Sequence, residues 1–139
     1  MKSNELMIGD WVTVEVPDNM PHNERVYEIM EEGISYTKDS DMLGIAFYEN
    51  VKPIPLTPEI LKMNRFCNVS ILDNNTFEYI DYYLDASNKN RKFRLVHTLD
   101  TGKYYIYIAY NSTRIQYVHE LQHILRLFGL TEMANNFEV

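Results

Sequence analysis

The sequence predicts an α+β protein in which a small SH3-like β-barrel precedes a four-stranded antiparallel sheet with one packed C-terminal helix. Three observations lead to this prediction. Short segments rich in β-branched and aromatic residues recur at close spacing and are separated by turn residues, as in antiparallel sheets. The segment Pro53-Ile54-Pro55-Leu56 interrupts them, because proline donates no backbone hydrogen bond to a sheet. Near the C-terminus the apolar residues change to a helical spacing.

Residues 1–56 are predicted to form the barrel. The segment Trp11–Val16 alternates, with its three valines on one face and Trp11 on the other, as in a half-buried strand. Further strands are predicted at residues 25–30, 33–37 and 43–48. A loop rich in proline and asparagine at 17–23 and a polar turn at 38–41 separate these strands, which suits a small, curled antiparallel sheet.

Residues 57–139 are predicted to form the second part. Thr57 is a suitable N-cap and Pro58 suits the first helical position, so a helix at 57–65 opens this part. A meander is predicted next, with strands at residues 68–72, 77–84, 92–97 and 103–110. The last helix, residues 113–128, begins at a capping box opened by Thr113 and ends at Gly129. It is predicted to pack across the second sheet through an apolar stripe formed by Tyr117, Leu121, Ile124, Leu125 and Phe128.

Composition and charge limit the classes of function. The chain has 139 residues, a formal net charge of −7 and a pI of about 5.0. Binding to nucleic acid requires a basic face that neutralises phosphates, so no nucleic-acid partner is expected. The single cysteine, Cys67, excludes an intramolecular disulfide. The N-terminus lacks the apolar run of a signal peptide, and no segment has the length of a membrane span, so a cytoplasmic location is predicted.

The final helix contains His119-Glu120-Leu121-Gln122-His123, which matches the H-E-x-x-H motif of zinc metallopeptidases. In that motif two histidines one turn apart bind zinc, and the glutamate activates a metal-bound water. A third ligand is needed, and no histidine or cysteine follows His123. At about 100° per residue the two histidines lie opposite the apolar stripe, which predicts that they face solvent.

We therefore interpret the motif as fortuitous, and the sequence predicts no catalytic residue, no metal ligand and no cofactor. A zinc-dependent hydrolase that uses His119, Glu120 and His123 is the alternative interpretation. The sequence leaves open whether the exposed histidine pair binds metal weakly.

Aromatic residues are unusually frequent, with eleven tyrosines, six phenylalanines and one tryptophan. In the segment 103–110, Tyr104 and Ile106 fall on one face and Tyr105 and Tyr107 on the other, which is typical of a strand packed on both sides. An exposed tyrosine patch that binds a partner is the functional alternative. Trp11 is predicted to anchor the N-terminal core, although a ligand platform is the other possibility. The acidic side chains of residues 24–41 predict a solvated surface.

Three segments resemble a large group of small uncharacterised proteins of gut-dwelling bacteria and their phages or mobile elements. These segments are Leu6–Val12, Val51–Leu61 and Ile115–Gln122, which read LMIGDWV, VKPIPLTPEIL and IQYVHELQ. The group's pattern runs roughly IGNWV, PIPLTEEWL, Y-x-Y and I-x-YVHELQNLYFALTG, so the resemblance covers nearly the whole chain in order. It implies no activity. It does imply that asparagine commonly replaces the second histidine of the motif, which favours a structural role for this helix.

The leading functional hypothesis is a non-enzymatic binding or adaptor protein, associated with a phage or mobile element. Its partner would be another protein or a second copy of the chain, with neither nucleic acid nor membrane expected. The hypothesis depends on the lack of a convincing catalytic set of residues in the sequence.

Overall fold

The computed structural model describes residues 1–17, 19–38, 42–72, 78–84 and 94–139. It confirms a mixed α+β protein built on antiparallel sheets. The chain divides into two compact units. The N-terminal unit comprises residues 1–55, 117–137 and 139, and the C-terminal unit comprises residues 56–116 and 138. The predicted boundary after residue 56 therefore lies within one residue of the first junction, but the N-terminal unit also contains most of the last part of the chain.

Five strands form the sheet of the N-terminal unit. They are β1 (Trp11–Val14), β2 (His22–Ile29), β3 (Gly33–Lys38), β4 (Met42–Phe47) and β5 (Val51–Pro53). The order across the sheet is β4-β3-β2-β1-β5, and every neighbouring pair is antiparallel. The predicted short antiparallel strands are confirmed, and β1 to β4 form a meander, with a fifth strand that returns to pair with the first. In the described residues β4 and β5 remain the two edges, so a closed SH3-like barrel is not confirmed.

The core of this unit follows from the alternation of β1. Val12 and Val14 are completely buried, whereas Trp11 and Thr13 on the opposite face are partly exposed. Burying a valine side chain contributes roughly 1.5–3 kcal/mol, so the two valines fix which face of β1 points inward. The remaining buried members of the same cluster are Leu6, Val26, Ile34, Tyr36, Ala46 and Val51.

Two helices belong to the N-terminal unit, α2 (Val118–Leu127) and α3 (Thr131–Asn135). The predicted start at Thr113 is wrong, because residues 111–115 pair as a strand and Tyr117 forms an isolated bridge with Pro55. The N–H of Tyr117 instead donates to Glu120 Oε2 at 3.0 Å and so caps the helix. The predicted end is confirmed, since Gly129 has a φ of 75° and the N–H of Leu130 donates to the carbonyl of Leu125.

The C-terminal unit opens with helix α1 (Pro58–Met63), where Thr57 Oγ1 accepts from the N–H of Ile60 at 3.3 Å as the predicted N-cap. Its sheet has five strands rather than four. They are β6 (Phe66–Leu72), β7 (Glu78–Leu84), β8 (Arg94–Thr98), β9 (Lys103–Ile108) and β10 (Asn111–Ile115). The order β10-β9-β8-β7-β6 is a meander, as predicted. The additional strand β10 comes from the residues that the sequence assigned to the start of the last helix.

The predicted packing of the last helix across the second sheet also differs from the structure, in which α2 groups with the N-terminal unit. An apolar stripe reveals that a helix must be covered, but it does not reveal which surface covers it. No described helix provides an apolar stretch long enough to cross a membrane.

Candidate functional site

The H-E-x-x-H segment lies on the first two turns of α2 and faces inward. His119 is buried, with 6% of its surface exposed, and the His123 side chain is 21% exposed. The prediction that both histidines face solvent is therefore wrong. The helix has an apolar stripe, as predicted, but the polar side is covered as well, because a loop that precedes β1 packs against it.

Asp10, at the end of that loop, is the centre of the polar contacts. Its side chain is completely buried. Oδ2 accepts from the N–H of Met7 at 2.7 Å and lies 2.7 Å from His123 Nε2. Oδ1 accepts from Arg126 Nη1 at 2.6 Å, and the other guanidinium nitrogen donates to the carbonyl of Ile8 at 3.3 Å. A buried carboxylate requires such compensation, and two side chains one turn apart on α2 provide it.

Gln122, which directly precedes His123 on the helix, is also completely buried. Its Oε1 accepts from the N–H of Trp11 at 3.0 Å. Its Nε2 donates to the carbonyls of Gly9 and Ala134, at 3.1 and 2.9 Å. One amide therefore satisfies backbone groups of the loop, of β1 and of α3, and it holds these three segments on α2.

Trp11 joins the C-terminal residues to the sheet. Its indole Nε1 donates to the carbonyl of Phe137 at 2.5 Å, and the guanidinium of Arg25 lies 4.8 Å from the ring centroid. Arg25 also donates to the carbonyls of Asn135 and Phe137. The Phe137 side chain is completely buried. Trp11 therefore does not lie in the core that it was predicted to anchor, since it is on the opposite face of β1 from Val12 and Val14. Its N–H and its ring face are engaged within the unit by Phe137 and Arg25.

The three residues of the motif are used for contacts within the N-terminal unit. Glu120 accepts from the N–H of Tyr117, and His123 contacts Asp10. The Nδ1 atom of His119 is buried and forms no hydrogen bond to the described residues. Its ring stacks on that of Tyr117 at 5.8 Å between centroids and meets His123 edge-on at 5.7 Å. Burial lowers the pKa of His119, while the carboxylates of Asp10 and Glu120 act in the opposite direction.

A metal centre at this position would need a different arrangement. Zinc requires three protein ligands around one point in a catalytic site, with a free position for water. Among the residues that the structure describes, no group of three histidine, cysteine or carboxylate side chains is arranged to hold a metal ion. His22 and His97, the remaining histidines, lie on β2 and β8. The arrangement on α2 can hold a loop and the C-terminal residues in place, and it neutralises a buried carboxylate.

A second feature, which the sequence did not indicate, is an apolar surface on the edge strand β4. The alternate side chains Leu43, Ile45 and Phe47 are 58%, 64% and 54% exposed, and Ala46 on the other face is buried. Ile45 and Phe47 also line a hollow of about 340 Å³. Its other lining residues are Met30, Glu31, Glu32 and Gly33. We call Leu43, Ile45, Phe47 and this hollow the β4 patch.

The composition of segment 43–48 predicted a strand but gave no reason to leave one face uncovered. Apolar residues occur on both faces of β4, which the sequence alone would assign to a strand buried on both sides. The signal that could have found the patch is the acidic pair Glu31-Glu32 in the turn between β2 and β3, since two exposed charges beside an apolar strand indicate a solvated edge.

The tyrosine-rich strand β9 divides as predicted near its start. Tyr104 and Ile106 are buried, and Tyr107 is 39% exposed on the other face. The alternation ends at Ala109, whose φ of 52° marks the turn into β10, and Tyr110 beside it is fully exposed. In the strand predicted at residues 77–84, the first residue, Phe77, lies outside the described residues. On β9 most of the tyrosine surface therefore serves packing, and the extended exposed tyrosine patch of the functional alternative is limited to the end of the hairpin.

Comparison with known proteins identifies no relative, since no family model, no curated protein and no solved structure matches the chain.

Proposed function

We propose that the protein is a non-enzymatic binding protein and that the β4 patch is its partner-binding surface. The observation that carries the proposal is the exposure of Leu43, Ile45 and Phe47 on one face of an edge strand. Covering three apolar side chains that are half exposed stabilises a complex by roughly 1 kcal/mol each. Contiguous apolar surface of this kind on a sheet edge is typical of an interaction site. Such a surface promotes aggregation when no partner covers it.

The chemistry of α2 supports the same proposal. A hydrolase based on His119, Glu120 and His123 would need these side chains directed at a substrate and a metal. In the described structure Glu120 caps the helix, and His123 contacts a buried carboxylate that also binds Arg126. The residues with the greatest potential for catalysis are therefore engaged in holding the unit together.

The strand order adds a second line of support. In the N-terminal unit β5 returns to pair with β1 after the meander β1–β4, and we propose that this unit is an SH3-like binding module whose sheet stays open. The resemblance to proteins of phages and mobile elements in gut bacteria suggests the setting. On that basis we propose an adaptor that acts in the cytoplasm of a bacterial cell.

The test is a site-specific photo-crosslinker placed at position 45 of the full chain and expressed in host cells. Ile45 lies in the β4 patch, and Leu127 on α2 provides a matched control because it is 77% exposed but lies outside the patch. We expect a discrete adduct with one partner from position 45 and none from position 127. Equal, diffuse labelling from both positions would contradict the proposal.

Zinc analysis tests the hydrolase alternative independently. Protein purified without a histidine tag or a metal column should contain no stoichiometric zinc, because His123 is engaged by Asp10. Near-stoichiometric zinc that disappears in His123→Ala would overturn the binding-protein proposal and would justify peptidase and amidase assays.

A further inference from the structure

We propose that the β4 patch binds an extended, basic segment of a partner protein, which adds to the sheet as a sixth strand beside β4. This inference rests on the proposed function and specifies its partner. The backbone geometry is the first argument. The six residues of β4 pair with β3 along one side, from Gly33↔Phe47 to Lys38↔Met42. No described strand pairs with the other side, so its N–H and C=O groups are available to a partner strand.

The other edge of the N-terminal sheet is less suited to accept a strand. The edge strand β5 has three residues and ends at Pro53, with Pro55 close behind, so it offers few donors to an incoming strand. In contrast, the β4 sequence MLGIAF contains neither proline nor charge. In the C-terminal sheet the edge strand β10 has the sequence NSTRI, whose polar and charged side chains discourage pairing, whereas the edge strand β6 (FCNVSIL) also lacks proline and charge. Of the two edges of the N-terminal sheet, β4 is the one that is suited to accept a strand.

The side chains of β4 determine what a partner strand would carry. In a sheet, side chains of neighbouring strands on one face lie about 5 Å apart, so alternate residues of the added strand would contact Leu43, Ile45 and Phe47. These contacts favour apolar residues at every second position of the partner. The hollow of about 340 Å³ beside Ile45 and Phe47 has room for one large apolar side chain.

The carboxylates near the β4 patch favour a basic partner segment. Glu31 and Glu32 are exposed where they line the hollow, and neither forms an ion pair with another described residue. Glu28 is also exposed, and its pairing with Ser35, which in turn pairs with Ile45, places it on the same face as the patch. The chain has no lysine or arginine between residues 42 and 51. Lysine or arginine at the end of the partner strand that lies beside Phe47 would therefore meet the uncompensated carboxylates of Glu31 and Glu32, which favours both encounter and specificity.

The same charges disfavour a second copy of the chain as the occupant. Each copy has a net charge of −7, and antiparallel pairing of two β4 strands would place Phe47 of one copy beside Met42 of the other. The exposed carboxylates of Glu31 and Glu32 would then be brought toward a second acidic chain. Like charges brought together in this way oppose association.

The experiment uses the full chain and a short synthetic peptide long enough to span β4. The peptide has valine or isoleucine at every second position, neutral polar residues between them and lysines at both ends, so that in either strand direction one end lies near Glu31 and Glu32. Two control peptides replace either every lysine by glutamate or the central residue by proline. Fluorescence anisotropy measures binding, and amide hydrogen exchange locates it. We expect the lysine peptide to bind, to protect residues 42–47 from exchange, and to lose about tenfold in affinity between roughly 0.05 and 0.5 M salt. Both control peptides and the variant Ile45→Asp should bind at least tenfold more weakly, whereas Leu127→Asp should bind normally.

Each other result overturns a defined part of the argument. Equal binding and equal protection by the lysine and glutamate peptides would refute the basic partner and leave the β4 patch as the binding surface. Peptide binding that survives Ile45→Asp and protects no residue of β4 would refute both the inference and the proposed function. Concentration-dependent dimers that protect residues 42–47 without peptide would identify a second copy as the occupant. Failure of the lysine peptide to bind at all would refute the inference.

Discussion

The two sides of the N-terminal sheet differ in how far the rest of the chain covers them. Next to β1, the loop, α2 and the C-terminal residues bury a carboxylate completely and connect it to a histidine and an arginine. At β4, on the opposite edge, an isoleucine is left 64% exposed. Within one unit, therefore, a carboxylate is buried while large apolar side chains are exposed. Burial here depends on where covering segments are available, and polar groups are buried where they hold those segments.

This contrast separates structural residues from functional ones. Residues that look catalytic in the sequence lie at the covered side, where Glu120 and His123 have partners within the unit and the His119 ring is buried. The exposed apolar side chains of β4 have no such partners, and they form the surface available for binding. Four predictions test the contrast, three at the covered side and one at the open edge.

The largest effect is expected at Asp10. In Asp10→Ala, the Arg126 guanidinium and His123 lose their shared acceptor, and the N–H of Met7 loses its partner. Removing one member of a buried ion pair destabilises a protein by about 3–5 kcal/mol, and we expect about 4 kcal/mol here. Urea denaturation monitored by tryptophan fluorescence measures the change. Glu32→Ala, at an exposed carboxylate, is the control and should change stability by less than about 0.5 kcal/mol.

A somewhat smaller effect is expected at Gln122. Leucine has a similar size, but in Gln122→Leu the N–H of Trp11 and the carbonyls of Gly9 and Ala134 lose their hydrogen bonds. Unsatisfied buried groups destabilise a fold by about 1–3 kcal/mol each, and the gain from burying leucine offsets part of this, so we expect a loss of about 3 kcal/mol. A loss below about 1 kcal/mol would show that this amide does not hold the loop and α3 on the helix.

A pH dependence is expected from His119. Because burial lowers the pKa of its imidazole in the folded state, the unfolded chain binds the proton more readily. Stability should therefore be fully present above about pH 6.5, the ordinary value, and should fall as the pH decreases below it. His97, in the C-terminal unit, has a pKa lowered by burial as well, with the same sign.

Denaturation at pH 7.5 and at pH 5.5 measures this dependence. The variants His119→Leu and His97→Leu should each reduce the acid sensitivity of the unit to which they belong, and the double variant should reduce both. If His119→Leu leaves the acid sensitivity of the N-terminal unit unchanged, another group accounts for it.

The smallest effect on stability is expected at the open edge. Ile45→Thr keeps a β-branched side chain at a position that is largely exposed, so the free energy of unfolding should change by less than about 0.5 kcal/mol. The same variant should weaken partner binding, since a hydroxyl replaces the ethyl group of Ile45, which lines the hollow of the β4 patch. A destabilisation above about 1 kcal/mol would indicate that Ile45 belongs to the core and would break the contrast between the two sides.

Much of the fold could be predicted from the sequence because its signals are local. The alternation of Trp11–Val16 predicted β1 and its buried valines, and Thr57 with Pro58 predicted α1. Gly129 correctly marked the end of α2. The start of α2 was misplaced because residues 111–115 pair with β9, and a capping pattern in the sequence cannot anticipate a strand partner that lies earlier in the chain.

The candidate sites depended on long-range contacts and were therefore harder to predict. The orientation of His123 was predicted wrongly because its partner, Asp10, lies more than one hundred residues away in the sequence. The β4 patch was missed because an apolar strand usually indicates burial, and only the position at the edge of the sheet reveals its exposure. Helical periodicity shows on which face of a helix a side chain lies. Which segment buries that face is determined by the tertiary structure.

The bridge between Pro55 and Tyr117 has a consequence for biosynthesis. A ribosome releases β1 to β5 first, then the whole C-terminal unit, and only then α2, which supplies the partners of Asp10. The C-terminal unit is continuous from residue 56 to Gln116, so it can fold before α2 has been synthesised and has packed on the N-terminal sheet. During this interval the sheet exposes both its incomplete core and the apolar edge of β4. The nascent chain is therefore most vulnerable to aggregation, and to capture by chaperones, just before α2 emerges.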